Sequence, residues 1–277
     1  MFVDAHQHFW IYNPDEYDWI SDSMADVRRD FLPKDLRPEL DRNGFRGSVV
    51  VQTRQTIKET FWLLELAEEF SWILGVVGWV DLCSKDVRSQ LAALAKHRKL
   101  VGIRHIVQSE PDDQFLLRPD FLRGVSALQD FDLAYDILIK PEHLTVAAEF
   151  AERFPNQRFI LDHLAKPSIK EGEIEDWATE IRQLASFPNV FCKLSGLVTE
   201  ADWQHWTHEQ ITPYLDVAFE CFGAKRLLIG SDWPVCLVAA SYKSVLDVIK
   251  KYLESHVRAT QTAVLAGNAE AFYRLPH

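Results

Sequence analysis

Long apolar runs are missing from this chain. No stretch approaches about 18 consecutive apolar residues, so a membrane-spanning helix is not expected. The first residues enter a strand-like run at once, with neither a basic region nor an apolar leader, and the expectation is a cytoplasmic protein. Positive charge is scarce as well: 30 Lys and Arg face 41 Asp and Glu, a formal net charge of −11. That sign argues against nucleic acid or an anionic membrane as partner. Cysteines are few. Cys83, Cys192, Cys221 and Cys236 are widely spaced and form no CxxC, so reduced thiols are the simplest expectation. Neither GxSxG, a P-loop nor HExxH occurs. A serine nucleophile elbow, a phosphate cradle and a zinc-protease helix are thereby excluded.

What the chain does have is apolar substance, 47% of 277 residues, and a regular rhythm. There is no linker, low-complexity stretch or composition break, so a single domain over 1–277 is expected. Strand-type apolar runs fall at 2–7, 46–52, 73–80, 100–107, 132–139, 157–163, 190–195 and 226–231. Between them lie helical periodicities: Phe61, Leu64, Ala67 and Glu68 on one face with Trp62, Leu63 and Leu66 on the flank; Leu91, Leu94 and Ala95; Val146, Phe150 and Phe154; Val217, Ala218 and Cys221; Val245, Val248 and Ile249. Near-continuous apolar strands suit a parallel sheet covered on both faces. Eight such β/α units predict an α/β fold, a (β/α)8 TIM barrel of the usual size, about 250 residues. A doubly wound open sheet is the alternative, but no GxGxxG follows the first strand. A final helix, about 259–273, is expected to pack across the barrel. The connection after the first strand, residues 9–32, is long and carries Phe9, Trp10, Tyr12, Tyr17 and Trp19. Such a loop walls a pocket or glues itself to the rim.

In this fold the chemistry gathers where the strands end. Regular alternation puts Asp4, His6 and His8 on one side of the first strand. The second strand ends at Gln52, the third delivers Trp79 and Asp81, and the fourth carries Arg104 and His105 on opposite faces, with Arg104 inward. The fifth brings Asp136 and Lys140, and the sixth Asp162 and His163, with Lys166 beyond. The seventh brings Lys193 and Ser195, and the eighth Asp232. Each has a plainer reading: His6 and His8 as a hydrogen-bonded structural pair, Asp232 as a helix cap, His163 as the partner of a loop carbonyl. Asp4, low on the strand, more naturally orients a histidine, and Asp81 and Asp136 suit internal ion pairs. His97, His143, His205, His208, His256 and His277 fall on helices, loops or the tail and are expected at the surface.

Five strings narrow the reading: Asp4-Ala5-His6-Gln7-His8-Phe9-Trp10, Gly102-Ile103-Arg104-His105, Leu161-Asp162-His163-Leu164-Ala165-Lys166-Pro167, Lys193-Leu194-Ser195-Gly196-Leu197 and Gly230-Ser231-Asp232-Trp233-Pro234. In this order they resemble the amidohydrolase superfamily, and within it the amidohydrolase-2 branch containing sugar lactonases of the L-fuconolactonase and L-rhamnonolactonase type. The resemblance implies catalysis by Asp232, His163, His6 and His8 on a small-molecule sugar lactone. It implies one divalent ion, zinc by its ligand count, on His6, His8 and Asp232, although relatives differ in needing metal. No organic cofactor is implied. The strand-4 lysine and strand-5 histidine of two-metal relatives are replaced here by Arg104-His105 and Asp136, which makes a second ion doubtful. Asp232 is the expected general base for an attacking water. His163, with His6 and His8, is expected to polarise the carbonyl. Arg104, His105, Gln52 and Lys193 are assigned to lactone hydroxyls or the product carboxylate, and Trp10, Trp19, Trp79 and Trp233 to the sugar ring. Three rival readings stay open: a metal-dependent decarboxylase, a lactone isomerase and, least favoured, a non-catalytic sugar-acid binder.

Overall fold

Apolar strand followed by amphipathic helix, repeated eight times, closes into a cylinder. The structure, a computed structural model, describes residues 1–276. The strands are β1 (Phe2–Gln7), β2 (Phe45–Val51), β3 (Ile73–Gly78), β4 (Leu100–Ile106), β5 (Ala134–Leu138), β6 (Phe159–Leu161), β7 (Val190–Leu194) and β8 (Leu227–Ile229). They run parallel in sequence order. The seam between β8 and β1 is carried by residues just past the end of β8, bonded to the chain in and just after β1. His8 N–H donates to the Trp233 carbonyl at 2.7 Å, and Asp232 N–H to the His6 carbonyl at 2.8 Å. Closure of the barrel and placement of the strand-8 acid are therefore one event.

Helices cover the outside: α1 (Pro33–Asn43), α2 (Ile57–Glu69), α3 (Val87–Leu94), α4 (Pro119–Ala127), α5 (Leu144–Glu152), α6 (Glu175–Ala185), α7 (His208–Phe222) and α8 (Tyr242–Leu253). Most apolar faces lie where their period puts them. On α2 the face is rotated: Thr60, Leu63, Leu64 and Ala67 are buried and Phe61 is exposed. The cause is polar. Thr60 Oγ1 accepts from Trp79 N–H at 2.8 Å and donates to the Trp79 carbonyl at 2.9 Å, which ties that side of the helix to the end of β3.

The expected last helix is present in three pieces: α9 (Arg258–Thr262), a π-turn (Ala263–Gly267) and α10 (Asn268–Tyr273). It closes the floor of the barrel. Ala266, Ala269, Phe272, Tyr273 and Leu275 pack with Val3, Val49, Val51, Val77 and Ile160. Burying a Leu or Phe side chain contributes about 1.5–3 kcal/mol, so this plug anchors the end opposite the site. The four cysteines are unpaired. Among the described residues no helix is long and apolar enough to cross a membrane. His143, expected at the surface, is buried, because its Nδ1 accepts the Lys140 N–H at 3.3 Å in a tight turn before α5. His277 lies outside the described residues.

Candidate active site

The β1–β2 ladder slips register between Asp4 and Gln7, and this breaks the alternation expected of β1. Asp4 turns away from the two histidines. Its carboxylate accepts from Ser231 N–H at 2.9 Å, Ser231 Oγ at 2.6 Å and the Tyr242 hydroxyl at 3.0 Å. It reaches His6 only through the backbone N–H, at 3.2 Å. Burial pushes the Asp4 carboxyl up to about 6 despite those donors.

His8 donates from Nδ1 to the Val51 carbonyl at 2.7 Å, since a carbonyl can only accept. Its Nε2 lone pair is thereby aimed inward. There it lies 3.2 Å from His6 Nε2 and 3.2 Å from Asp232 Oδ1, and His6 Nε2 lies 3.7 Å from the same oxygen. Zinc bonds of about 2.0–2.1 Å at tetrahedral angles set neighbouring ligand atoms about 3.3–3.4 Å apart. Two edges of the triangle come close to those of one face of a tetrahedral site and the third is about 0.3 Å longer, so a divalent ion fits it with a small adjustment. The remaining nitrogen of His6 faces Lys193 Nζ at 3.1 Å and Asp162 Oδ1 at 3.4 Å. Burial and the Lys193 charge hold His6 well below its ordinary pKa, in the neutral form that ligates.

His163 arrives by a strained route. After β6 the chain makes a left-handed turn in which His163, Leu164, Ala165 and Lys166 have φ of 53°, 53°, 58° and 55°. Left-handed backbone costs a non-glycine residue about 1–2 kcal/mol. Lys166 N–H donates to the His163 carbonyl at 2.7 Å, and Trp177 Nε1 to the Leu164 carbonyl at 2.8 Å. Asp232 also sits at positive φ, 57°. Strain of this kind clusters at functional sites because the surroundings must enforce it. His163 Nδ1 is 2.9 Å from Ser195 Oγ, and its Nε2 is 3.9 Å from Asp232 Oδ1. Burial lowers His163 to about 4. Burial opposes ionisation of Asp232, but the His163, His8 and His6 rings around it hold its carboxyl well below the usual carboxylate range. His6, His8, His163 and Asp232 therefore converge.

Below them lies a second polar layer. Arg104 donates to Asp162 Oδ2 at 2.9 Å and to the Gln52 carbonyl. Lys193 bridges Asp136 Oδ2 at 2.5 Å and Asp162 Oδ1 at 2.9 Å, and the Tyr273 hydroxyl donates to Asp136 Oδ2 at 2.7 Å. All these charges are buried. Such pairs are weak stabilisers, but losing one partner is costly because the other charge is left bare. This layer fixes the underside of His6.

A cavity of about 530 Å³ opens above, with His8, His163, Asp232 and Arg104 toward its floor. Trp19, Arg54 and Lys166 stand in its walls, with apolar contributions from Ile106, Leu138 and Val235. The volume suits a small ligand. Among the other residues proposed for substrate, none lines this cavity. Gln52 turns its amide to the Arg104 carbonyl at 3.1 Å, and Lys193 lies beneath His6. His105 faces outward, as alternation required, stacked on Phe115 at 4.7 Å and bonded to Glu110 at 2.6 Å. Trp79 donates to His105 Nδ1 at 3.3 Å. Trp10 is buried in the long loop, donating to the Arg29 carbonyl at 2.8 Å, and Trp233 packs on Phe9 and Phe31. The loop after β1 thus does both expected jobs, with Trp10 as glue and Trp19 at the cavity wall.

The lining segment Thr53, Arg54, Gln55 and Thr56 was missed, as were Glu16 and Asp18. It is set by buried Glu59, which accepts from Thr53 Oγ1 at 2.6 Å and from Arg54 N–H at 2.7 Å. Thr56 followed three residues later by Glu59 is a capping-box pattern that marks this turn in the sequence.

A family model for amidohydrolases matches residues 3–275. L-fucono-1,5-lactonases from Burkholderia multivorans and Burkholderia ambifaria are each 40% identical to this chain, covering 99% of it and 96% and 95% of their own lengths. The crystal structure of an amidohydrolase from Burkholderia multivorans with bound zinc superposes with a TM-score of 0.96 at 40% identity, covering all of both chains. With the match running almost end to end, this chain belongs to the amidohydrolase family.

Proposed function

We propose that the protein is a hydrolase that opens a sugar-acid lactone by direct attack of water, with Asp232 as the base. One observation carries this: residues 6, 8, 163 and 232, drawn from three distant parts of the sequence, come together, and His8, His163 and Asp232 of that group line one cavity. The lactonase names of the Burkholderia relatives support the substrate class.

Lactone hydrolysis needs an activated water and a stabilised oxyanion. Asp232 is ionised at neutral pH, and its imidazole contacts all fall on Oδ1, which leaves Oδ2 for a proton. A carboxylate held this low is a weak base, so the water it deprotonates has to be acidified first. A divalent ion on His6, His8 and Asp232, for which zinc is the best fit, would supply that acidity and polarise the carbonyl. Ser195 can donate to His163 Nδ1, leaving an N–H at Nε2 to donate to the carbonyl oxygen. One well-placed oxyanion donor is worth about 10²–10³ in rate. Water oxygen bonds to the carbonyl carbon, the ring C–O bond breaks, and Asp232 passes the proton to the departing ring oxygen. The acid so formed ionises, releasing one proton. The exposed indole of Trp19 offers an apolar face to the sugar ring.

A pH-indicator screen of aldonolactones, with chelator or with added zinc, tests the reading. Turnover is expected for at least one lactone. Asp232→Asn, folded by circular dichroism, is expected to lose about 10²–10⁴ in kcat; substantial residual turnover refutes the base.

A further inference from the structure

Backbone economy does not explain the turn after β6. Four left-handed residues in succession are most easily built from glycine or asparagine, yet this one reads His163-Leu164-Ala165-Lys166. Leu164 and Ala165 are fully buried in the core, while the two end residues, His163 and Lys166, both line the cavity. Lys166 thus takes φ 55° while placing a long cationic side chain at the cavity.

Three Arg and Lys side chains line the cavity, and two are committed. Arg104 is held by Asp162 and the Gln52 carbonyl. Arg54 is paired with Glu16 and lies 3.8 Å from buried Glu59. Lys166 is ion-paired to Glu200 at 3.8 Å, too long for a hydrogen bond, and both side chains are about a quarter exposed. The Lys166 ammonium therefore keeps donors for a ligand. The charge is felt locally: burial, and to a smaller degree Lys166 and Arg104, keep the His163 imidazole neutral.

Ring opening changes the ligand from neutral to anionic. The new carboxylate forms beside Asp232, itself ionised, in a protein of net charge −11. We infer that Lys166 is the counter-ion of the product carboxylate, the residue by which the site distinguishes the aldonate anion from the neutral lactone. This rests on the lactonase reading and goes beyond it. It gives the cavity a place for the charge that appears only after the ring has opened.

The test compares wild type with Lys166→Met and Lys166→Arg in zinc-supplemented buffer. The substrate is L-fucono-1,5-lactone, and the inhibitor is its ring-opened acid. A charge-assisted hydrogen bond to a carboxylate is worth roughly tenfold in binding. Ki for the acid is expected to rise about tenfold in Lys166→Met and to exceed the change in KM for the lactone at least fivefold. Lys166→Arg should keep Ki within about threefold. A parallel rise of KM and Ki, which marks a hydroxyl contact common to both ligands, overturns the inference; so does an unchanged Ki, which marks a strut for Glu200. Calorimetric titration with the acid reads the same contact without turnover. A Lys166→Met protein that binds it as tightly as wild type overturns the inference even if the enzyme is active. A wild type that opens no aldonolactone instead refutes the proposed function.

Discussion

Stripping metal from the protein and returning zinc should produce a large, ligand-specific gain in stability. The expectation comes from edge lengths of 3.2, 3.2 and 3.7 Å among His6 Nε2, His8 Nε2 and Asp232 Oδ1, against about 3.3–3.4 Å for tetrahedral zinc. His8 Nε2 is already a lone pair, because Nδ1 is spent on the Val51 carbonyl, and burial keeps His6 neutral. His8 therefore needs no deprotonation, and neutral His6 needs only the tautomer with its proton on Nδ1, the nitrogen that faces Asp162 Oδ1. At free zinc about 100-fold above Kd, binding adds about 2.7 kcal/mol of stability. For a domain of this size 1 kcal/mol moves Tm by about 2–4 °C, so a rise of about 5–10 °C is expected. The assay is thermal unfolding of chelator-treated, dialysed protein against a zinc series, with calorimetry for Kd and stoichiometry. His8→Asn removes one corner of the triangle and should abolish the shift, which separates this site from adventitious surface binding. A Tm that moves by less than about 1 °C at saturating zinc, or a shift that survives His8→Asn, refutes the metal assignment.

Gly196 has φ +69°, and a Cβ there would stand 2.7 Å from His163 Nδ1; Gly196→Ala should displace the imidazole and lower kcat at least about 10²-fold, whereas a loss under threefold shows that His163 does not act. His163 titrates near 4 when folded and 6.5 when unfolded, because burial disfavours its cation. Between those values the unfolded chain binds the extra proton, so the stability from burying the neutral ring is fully present above pH 6.5 and is lost as pH falls toward 4, up to about 3 kcal/mol. Urea unfolding of wild type and His163→Gln at pH 7 and 4.5 checks this: the difference between the two proteins should shift against wild type at the lower pH, and a difference independent of pH rejects it.

The barrel was legible because its signal is repeated. Eight apolar runs separated by amphipathic stretches leave few other closures, and each strand lies within two or three residues of its apolar run. The exceptions are places where a polar tie outranked the apolar period. Thr60 bonding to Trp79 rotated α2, and Lys140 donating to His143 drew a histidine inside. Neither tie is visible to a pattern that weighs side chains only by hydrophobicity.

For the site, alternation worked where the ladder was regular and failed where it slipped. It put Arg104 inward and His105 outward on β4, whose pairing with β5 runs without a break. It put Asp4 beside His6 and His8, but the register shift between Asp4 and Gln7 sent Asp4 to Ser231 and Tyr242. The tryptophans could not be sorted at all. Trp10 and Trp19 share one loop, and which is buried depends on the Trp10–Phe31 backbone bridge. The turn after β6 left only half a clue: Pro167 disfavours right-handed helix at Lys166, but nothing in His163-Leu164-Ala165 announces positive φ. That turn exists because Trp177 satisfies the Leu164 carbonyl and because Gly196 leaves room for the ring of His163. Residues on α6 and just past β7 thus enforce a strained backbone at the end of β6, a condition no local reading of the Asp162-to-Pro167 string contains. Chemistry-bearing residue types can be named from one chain, but their aim is a tertiary property, and here it is held in part by backbone that would relax if those neighbours were removed.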